Sequence, residues 1–287
     1  MKKIVYLALI AGIIMNFSSC NMGKRKTAPE IPLEDFFKNP EKTSYKISPN
    51  GEFYSFLGPY NDRLNVFVQK VDDDSATQIT FVEDRDIKGY LWANNERILY
   101  LRDVGGDENY KLFGVNIDGT DLKGLTDFEG VKTLIIDELE NIEDEIIIAM
   151  NKRDARVFDP YRLNIVSGEM EMLAENNGFI VDWLTDHEGK LRVAVEAIMT
   201  DVSLLYREKE EDEFKKVITT DWKEEINPLF FDFENEHVFA LSNYNRDKLA
   251  VVKFDIKNGN ELEVVLENDE VDIMSMEYSK KKKALTH

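Results

Sequence analysis

Short apolar runs separated by turn residues dominate the chain from residue 44 to residue 266. A representative stretch is Leu99–Thr126, in which apolar segments flank a Gly-Gly-Asp-Glu-Asn loop and an Asp118-Gly119 turn precedes a closing segment. Within it, residues 110–117 alternate between two faces, as the side chains of a strand do. Runs of this length bounded by Gly, Asp and Asn are typical of antiparallel strands joined by hairpins. The pattern therefore predicts an all-β protein.

The same grouping of four predicted strands recurs five times, over residues 44–80, 87–125, 131–173, 179–218 and 228–266. The last strand of each group ends at or near an aliphatic residue, and these residues lie 45 to 48 positions apart: Ile79, Leu125, Leu173, Ile218 and Leu266. This is the period of propeller blades. A β-sandwich is the alternative, but five regular units favour radial repetition. We predict a β-propeller of five four-stranded blades.

The segments before and after the repeated region are predicted separately. Pro32–Asn39 is expected to form a short helix or an edge segment before the first blade. Val271–Tyr278 is expected to begin a sixth blade, which the sequence does not continue before His287. The predicted propeller domain therefore spans residues 31–287 as an incomplete array.

The N-terminus has the pattern of a processing segment. Lys2 and Lys3 precede an almost unbroken apolar run, Ile4–Phe17, which is short for a transmembrane helix and suits a secretory signal. The run ends in Ser18-Ser19-Cys20, and Cys20 is the single cysteine of the chain. This arrangement resembles a bacterial lipoprotein cleavage box. We therefore predict a signal peptide over residues 1–19 and a lipid-modified Cys20 with a polar tether over residues 20–30, the alternative being an ordinary signal peptide with an incidental cysteine.

The charge restricts the possible partners. The chain has 36 Lys and Arg against 56 Asp and Glu, a formal net charge of −20. Such a surface repels phosphates, so we expect no nucleic acid partner. A lipidated Cys20 would leave no thiol for disulfides or thiolate metal sites, and Asp72–Asp74 and Asp118–Asp121 lack the spacing of a calcium loop. We predict no metal and no cofactor.

Several stretches, taken in order, resemble the N-terminal propeller of the prolyl oligopeptidase family of serine peptidases, closest to its acylaminoacyl-peptidase and dipeptidyl-peptidase-like branch. They are Arg102–Gly119, Asp159–Glu169, Asn177–Val195, Leu241–Glu261 and Val271–Thr286. The resemblance covers roughly residues 31–286. It implies a propeller that filters peptides for an α/β-hydrolase domain.

Enzymes of that family carry a nucleophilic serine in a G-x-S-x-G turn, followed by Asp and His. No serine of this chain has that context, and its three histidines are not placed as a triad requires: His187 in a predicted turn, His237 at a strand start and His287 at the terminus. We therefore expect no catalytic residue in this chain, a hydrolase domain absent from it, and no peptidase activity from it alone.

In some branches of the family, propeller loops bind the amino terminus of the substrate through acidic residues. The resemblance makes Glu108, in the Gly-Gly-Asp-Glu-Asn loop, the candidate substrate-loop residue, while Asp107, Glu108 and Asn109 also suit a turn with no binding role. The expected function is the non-catalytic propeller portion of such a peptidase, with a peptide substrate or a separately supplied hydrolase domain as partner. The alternative is a stand-alone propeller lipoprotein that binds a peptide or protein. Either would lie in the bacterial cell envelope, facing the periplasm or the surface and held to the membrane by the lipid on Cys20.

Overall fold

A computed structural model describes residues 28–38 and 40–286. The predicted signal peptide, Cys20 and most of the predicted tether lie outside the described residues. The chain divides into two units at residue 39, and each is treated by itself. In the first unit the helix α1, Leu33–Phe37, starts after Pro32, whose carbonyl accepts a hydrogen bond from the Asp35 amide at 3.1 Å. The short helix expected in this segment is confirmed.

The second unit contains five four-stranded antiparallel sheets and one two-stranded sheet. Within each sheet the strands lie side by side in chain order, so each is an up-and-down meander. The first two sheets consist of β1 Thr43–Ile47, β2 Phe53–Tyr60, β3 Arg63–Lys70, β4 Ala76–Gln78 and β5 Gly89–Trp92, β6 Arg97–Arg102, β7 Lys111–Asn116, β8 Lys123–Gly124. The third and fourth consist of β9 Thr133–Asp137, β10 Glu145–Asp154, β11 Val157–Asn164, β12 Met170–Met172 and β13 Ile180–Thr185, β14 Leu191–Ile198, β15 Asp201–Tyr206, β16 Lys215–Thr220. The fifth consists of β17 Ile226–Phe231, β18 Val238–Ser242, β19 Ala250–Asp255 and β20 Asn260–Leu266, and the two-stranded sheet of β21 Glu277–Ser279 and β22 Ala284–Thr286.

The five predicted blades are confirmed, with one element of the sixth placed differently. Residues 271–276, expected to be strand, precede β21 as an irregular connection. The Asp272 carboxylate accepts a hydrogen bond from the Leu249 amide at 2.9 Å, and the Ile273 amide donates to the Leu249 carbonyl at 3.0 Å. Because these bonds tie the segment to the residue that precedes β19, an inner strand of the fifth blade, the strand of the sixth begins six residues later than predicted.

The apolar core lies between blades. Five clusters of buried side chains occur in the described residues, one at each junction between consecutive sheets. At the junction of the second and third blades, for example, Leu99 and Leu112 pack with Ile148 and Leu163, all fully buried. The second to fifth sheets bury both faces, which explains why runs such as Ile146–Met150 are apolar without alternation.

Polar contacts between blades repeat with the same period as the sequence. The Asn50 amide donates to the Asn95 side chain 45 residues on, Asn94 donates to the Glu143 carbonyl 49 residues on, and the His187 amide donates to Asn235 48 residues on. A separation near one repeat places equivalent loops of neighbouring blades side by side. Among the described residues, no helix is long and apolar enough to cross a bilayer.

Candidate functional site

First strands of adjacent blades contact one another at three junctions, β1 with β5, β9 with β13 and β13 with β17. The hairpin loops that follow these strands surround two neighbouring cavities. The larger, here the central cavity, has a volume of about 760 Å³. The smaller, here the His187 pocket, has a volume of about 190 Å³. The turn between β21 and β22 contributes Lys280 to both.

The central cavity combines charges of both signs with an apolar wall. Its lining residues come from the first three blades and the last hairpin: Lys46, Ile47, Pro49, Leu91, Trp92, Ala93, Glu138, Glu140, Asn141, Lys280 and Lys281. Burial raises the pKa of Glu138; Lys46 opposes the shift and Glu140 adds to it. Lys280 lies 3.6 Å from Glu140, which joins the last hairpin to the third blade. The cavity can therefore accommodate a ligand that has apolar, cationic and anionic groups.

Aromatic side chains around the His187 pocket hold the last hairpin in place. The His187 Nε2 lies 2.9 Å from the Phe231 carbonyl, which identifies that nitrogen as the donor. Its ring stacks on Phe233 and meets the edge of Tyr278, which also packs on Phe230 at a centroid distance of 4.4 Å. Burial raises the pKa of Tyr278 to about 12. His187 therefore connects β17, through the Phe231 carbonyl, to the last hairpin, through Tyr278.

The second described histidine lies in another polar cluster. The Nδ1 of His237 lies 3.2 Å from Asp232, which also accepts hydrogen bonds from the Glu236 amide at 2.9 Å and pairs with Lys253 at 3.0 Å. Burial opposes ionisation of Asp232, but these hydrogen bonds and Lys253 hold its pKa below the ordinary value. Asp232 thus closes the β17–β18 turn.

Glu108 lies in the β6–β7 loop, at the opposite end of the second blade from the central cavity. Asp107 accepts hydrogen bonds from the Asn109 amide at 3.0 Å and side chain at 3.1 Å, so these two residues supply the turn chemistry. Glu108 adopts a left-handed φ of 57° and is exposed, while its amide donates to buried Asp103 at 3.3 Å. The structure brings Glu108 close to Asp103 and not to the central cavity, and its substrate-binding role stays a prediction.

Arg162 and Arg207 bridge blades. Arg162 donates to the Gly189 carbonyl of the fourth blade at 2.9 Å, and Arg207 donates to the Leu173 carbonyl of the third at 3.3 Å. In the acidic run 208–213, Glu210 is half-buried because it accepts hydrogen bonds from the Leu191 amide at 2.8 Å and from Arg162.

No pattern in the sequence predicts the cluster of basic residues that lies near the Glu108 loop. Arg63, Arg85 and Lys88 line a cavity of about 270 Å³ between the first two blades, here the arginine pocket. They come from a strand start, an irregular connection and the residue before β5, so no spacing in the sequence indicates the group.

Asp73 and Asp118, considered above as calcium ligands, each accept a hydrogen bond from the amide two residues on, at 3.0 and 2.9 Å. The described residues contain no group of three or more His, Cys, Asp or Glu placed to hold a metal ion.

The fold defines the chain as a β-propeller, and sequence comparisons add its relatives. It is 26% identical over 253 residues to dipeptidyl aminopeptidase BIII of Pseudoxanthomonas mexicana, covering 85% of this chain and 36% of that protein. It is 22% identical over 254 residues to dipeptidyl peptidase family member 6 of Caenorhabditis elegans, covering 82% of this chain and 34% of that protein. The chain thus spans about a third of the length of these curated relatives. No family model matches it.

A solved structure supports the fold. A prolyl endopeptidase structure superposes with a TM-score of 0.59 at 10% identity, covering 84% of this chain and 38% of that one. Together with the two peptidase relatives, this confirms the resemblance to the N-terminal propeller of the prolyl oligopeptidase family.

Proposed function

We propose that this chain is the propeller portion of a prolyl oligopeptidase-family peptidase and that it gates the access of peptides to a hydrolase domain. The observation that carries the proposal is the similarity to dipeptidyl aminopeptidase BIII over 85% of the chain. The central cavity supports it, because a volume of about 760 Å³ suits a short extended peptide and not a folded protein.

Size-dependent peptide binding tests this proposal. Calorimetry with the full chain compares a free pentapeptide with the same five residues displayed on a loop of a small folded protein. We expect the free peptide to bind and the folded carrier not to bind. Asn141→Trp, at an exposed position that lines the cavity, should weaken binding at least tenfold by filling the space.

The matched control is Glu129→Trp, which adds the same side chain at an exposed position between the second and third blades. It should bind the free peptide as the unmodified chain does. Equal binding of the folded carrier would favour a stand-alone binding protein and contradict gating, as would an Asn141→Trp variant that binds the peptide normally.

Glu108 is proposed as a contact for the amino terminus of a peptide, because a carboxylate on an exposed loop can pair with an ammonium group. Glu108→Gln should lower the affinity for a peptide with a free amino terminus and leave the affinity for its acetylated form unchanged. Asp74→Gln, an exposed acidic residue of the β3–β4 turn, is the control. Equal loss for both peptide forms would contradict the role.

Lipid anchoring at Cys20 is proposed from the sequence alone. The full chain, expressed in a bacterium with lipoprotein processing, should fractionate with membranes, and Cys20→Ser should move it to the soluble fraction. Retention of the serine variant in the membrane fraction would argue against the anchor.

A further inference from the structure

The arginine pocket differs in charge from the rest of the protein. The chain has a net charge of −20, yet three cationic and two acidic side chains line this cavity together with Ile87 and Tyr110. The cations are Arg63, Arg85 and Lys88. A local excess of positive charge favours the binding of anions at that point.

Both acidic residues of the pocket are already occupied in the fold. The Asp86 carboxylate accepts a hydrogen bond from the Leu64 amide at 2.7 Å, the same contact that Asp272 makes with Leu249 in the fifth blade. Asp103 is 2% exposed and accepts the Glu108 amide at 3.3 Å. The two carboxylates keep their negative charges, so the three cations of the lining exceed them by one.

The basic groups retain donor capacity. The Nε of Arg63 is buried without a hydrogen-bond partner, although Arg63 as a whole is only half-buried. Arg85 pairs with Asp103 only at 3.6 Å, and its side chain is 51% exposed. The Lys88 ammonium lies 5.7 Å from the centre of the Tyr110 ring, so this contact is with an aromatic ring and not with an anion. Arg85 and Lys88, which are both exposed, therefore offer donors to an anion in the pocket.

The Gly-Gly turn brings the pocket next to Glu108. The Arg85 guanidinium carbon lies 3.6 Å from where a Cβ on Gly106 would be, and Gly106 has a φ of 85°. The left-handed φ favours glycine there, and the guanidinium lies at ordinary van der Waals distance from the loop. Buried Asp103, which accepts the Glu108 amide and lies 3.6 Å from Arg85, links the Glu108 loop to the arginine pocket.

We propose that the arginine pocket binds the carboxylate of an acidic side chain on a peptide. The guanidinium groups of Arg63 and Arg85 offer the planar donors that carboxylates pair with, and one unbalanced positive charge suits a monoanion. A volume of about 270 Å³ admits a single side chain. The inference rests on the proposed function, because that function supplies the peptide that carries the carboxylate. It adds that acidic peptides are the preferred class.

The test compares two peptides that differ only in charge. Acetyl-Ala-Glu-Ala-amide and acetyl-Ala-Gln-Ala-amide are titrated into the full chain by calorimetry, with both ends blocked so that the side chain is the single difference. The glutamate peptide should bind at least tenfold more tightly, and the difference should shrink as salt is raised. The double variant Arg63→Gln, Arg85→Gln should abolish the difference.

A second variant and two controls keep the result decisive. If the double variant unfolds, Lys88→Gln replaces it in the test. This variant leaves both arginines in place and should reduce the preference for the glutamate peptide. Lys209→Gln removes an exposed cation elsewhere and should change nothing. Inorganic phosphate should displace the glutamate peptide no better than chloride at equal ionic strength; strong displacement would assign the pocket to phosphate and overturn the proposal.

Failure of this inference differs from failure of the proposed function. Equal binding of the two blocked peptides, sensitive to Asn141→Trp, would overturn the arginine pocket and leave gating intact. A glutamate preference that survives the double variant would also overturn it. Absence of binding by either blocked peptide, while free pentapeptides bind, overturns the carboxylate site alone.

Discussion

Among individual residues, Arg192 joins two blades most directly. It is 6% exposed, pairs with buried Asp186 at 3.2 Å, donates to the Asn235 carbonyl of the fifth blade at 2.9 Å, and donates to the Tyr206 hydroxyl. Arg192→Leu leaves the Asp186 charge buried without its partner, so we expect a loss of about 3 kcal/mol in the free energy of unfolding.

Urea unfolding measures this loss, with Arg156→Leu as the matched control. Arg156 also pairs with an aspartate, Asp154, at 2.8 Å, but its side chain is 85% exposed. Solvent screens that pair, so its removal should hardly change the midpoint. Similar midpoints for the two variants would show that Arg192 is not a stabilising contact.

Glu196 gives the stability a dependence on pH. Its carboxylate is nearly buried and lies 2.6 Å from the Lys216 ammonium, and the hydrogen bond from Lys216 lowers its pKa below the ordinary 4.5. A carboxylate with a lowered folded-state pKa stabilises the fold above its unfolded pKa, and this contribution is lost as pH falls through the folded value. Glu196→Gln should therefore destabilise the protein at pH 7 and have little effect at pH values well below 4.5.

Unfolding in urea at neutral and acidic pH measures this difference. Glu129→Gln, at an exposed position, is the control and should not change the pH profile. A constant difference between the glutamine variant and the unmodified chain at every pH would rule out ionisation of Glu196 as its origin.

At this scale the sequence predicts local contacts better than distant ones. The turn formed by Asp107 and Asn109 was predictable because the partners are two residues apart. The half-burial of Glu210 was not, since it depends on Arg162, 48 residues away. The arginine pocket likewise joins Arg63 to Arg85 across a blade junction, and a single sequence contains no spacing rule for such pairs.

Among the elements, the last hairpin, β21–β22, has the fewest strands to stabilise it. Tyr278 anchors it against Phe230, Phe233 and His187. Tyr278→Ala should therefore increase amide hydrogen exchange in residues 277–286 while the first four blades keep their protection, because local opening exposes only this element.

Hydrogen exchange followed by mass spectrometry resolves this region. Tyr60→Ala, which removes an edge-on contact with Phe81 at 5.7 Å in the first blade, should leave the hairpin protected. Unchanged exchange in residues 277–286 of the Tyr278 variant would place the anchor elsewhere.

Element positions follow from the sequence wherever apolar periodicity and turn residues coincide. The five blades meet both conditions, so their order and period were predictable. Residues 271–276 are apolar enough to suggest a strand, but the Asp272 contact with Leu249 makes them a connection. The equivalent pair of Asp86 with Leu64 in the first blade shows that Asp-Ile before a first strand marks this connection in both places.

For the array of blades as a whole, the clusters at the junctions predict cooperative unfolding. Each blade from the second to the fifth shares apolar cores with both neighbours, so loss of one blade exposes the next. Ile148 is fully buried between the second and third blades, and Ile148→Ala should cost about 3 kcal/mol by leaving a cavity. Leu134→Ala, at a 44% exposed position of the same blade, should cost much less.

The tryptophans allow the cooperativity itself to be measured. Trp92 reports on the second blade and Trp183 on the fourth. With the third tryptophan, Trp222, replaced by Phe, Trp183→Phe and Trp92→Phe variants each leave one probe to compare with far-ultraviolet circular dichroism. Coincident midpoints, all shifted together by Ile148→Ala, are expected because the shared clusters transmit the loss across each junction. Separate transitions for the two probes would mean that the blades unfold as independent units and that the junction clusters do not couple them.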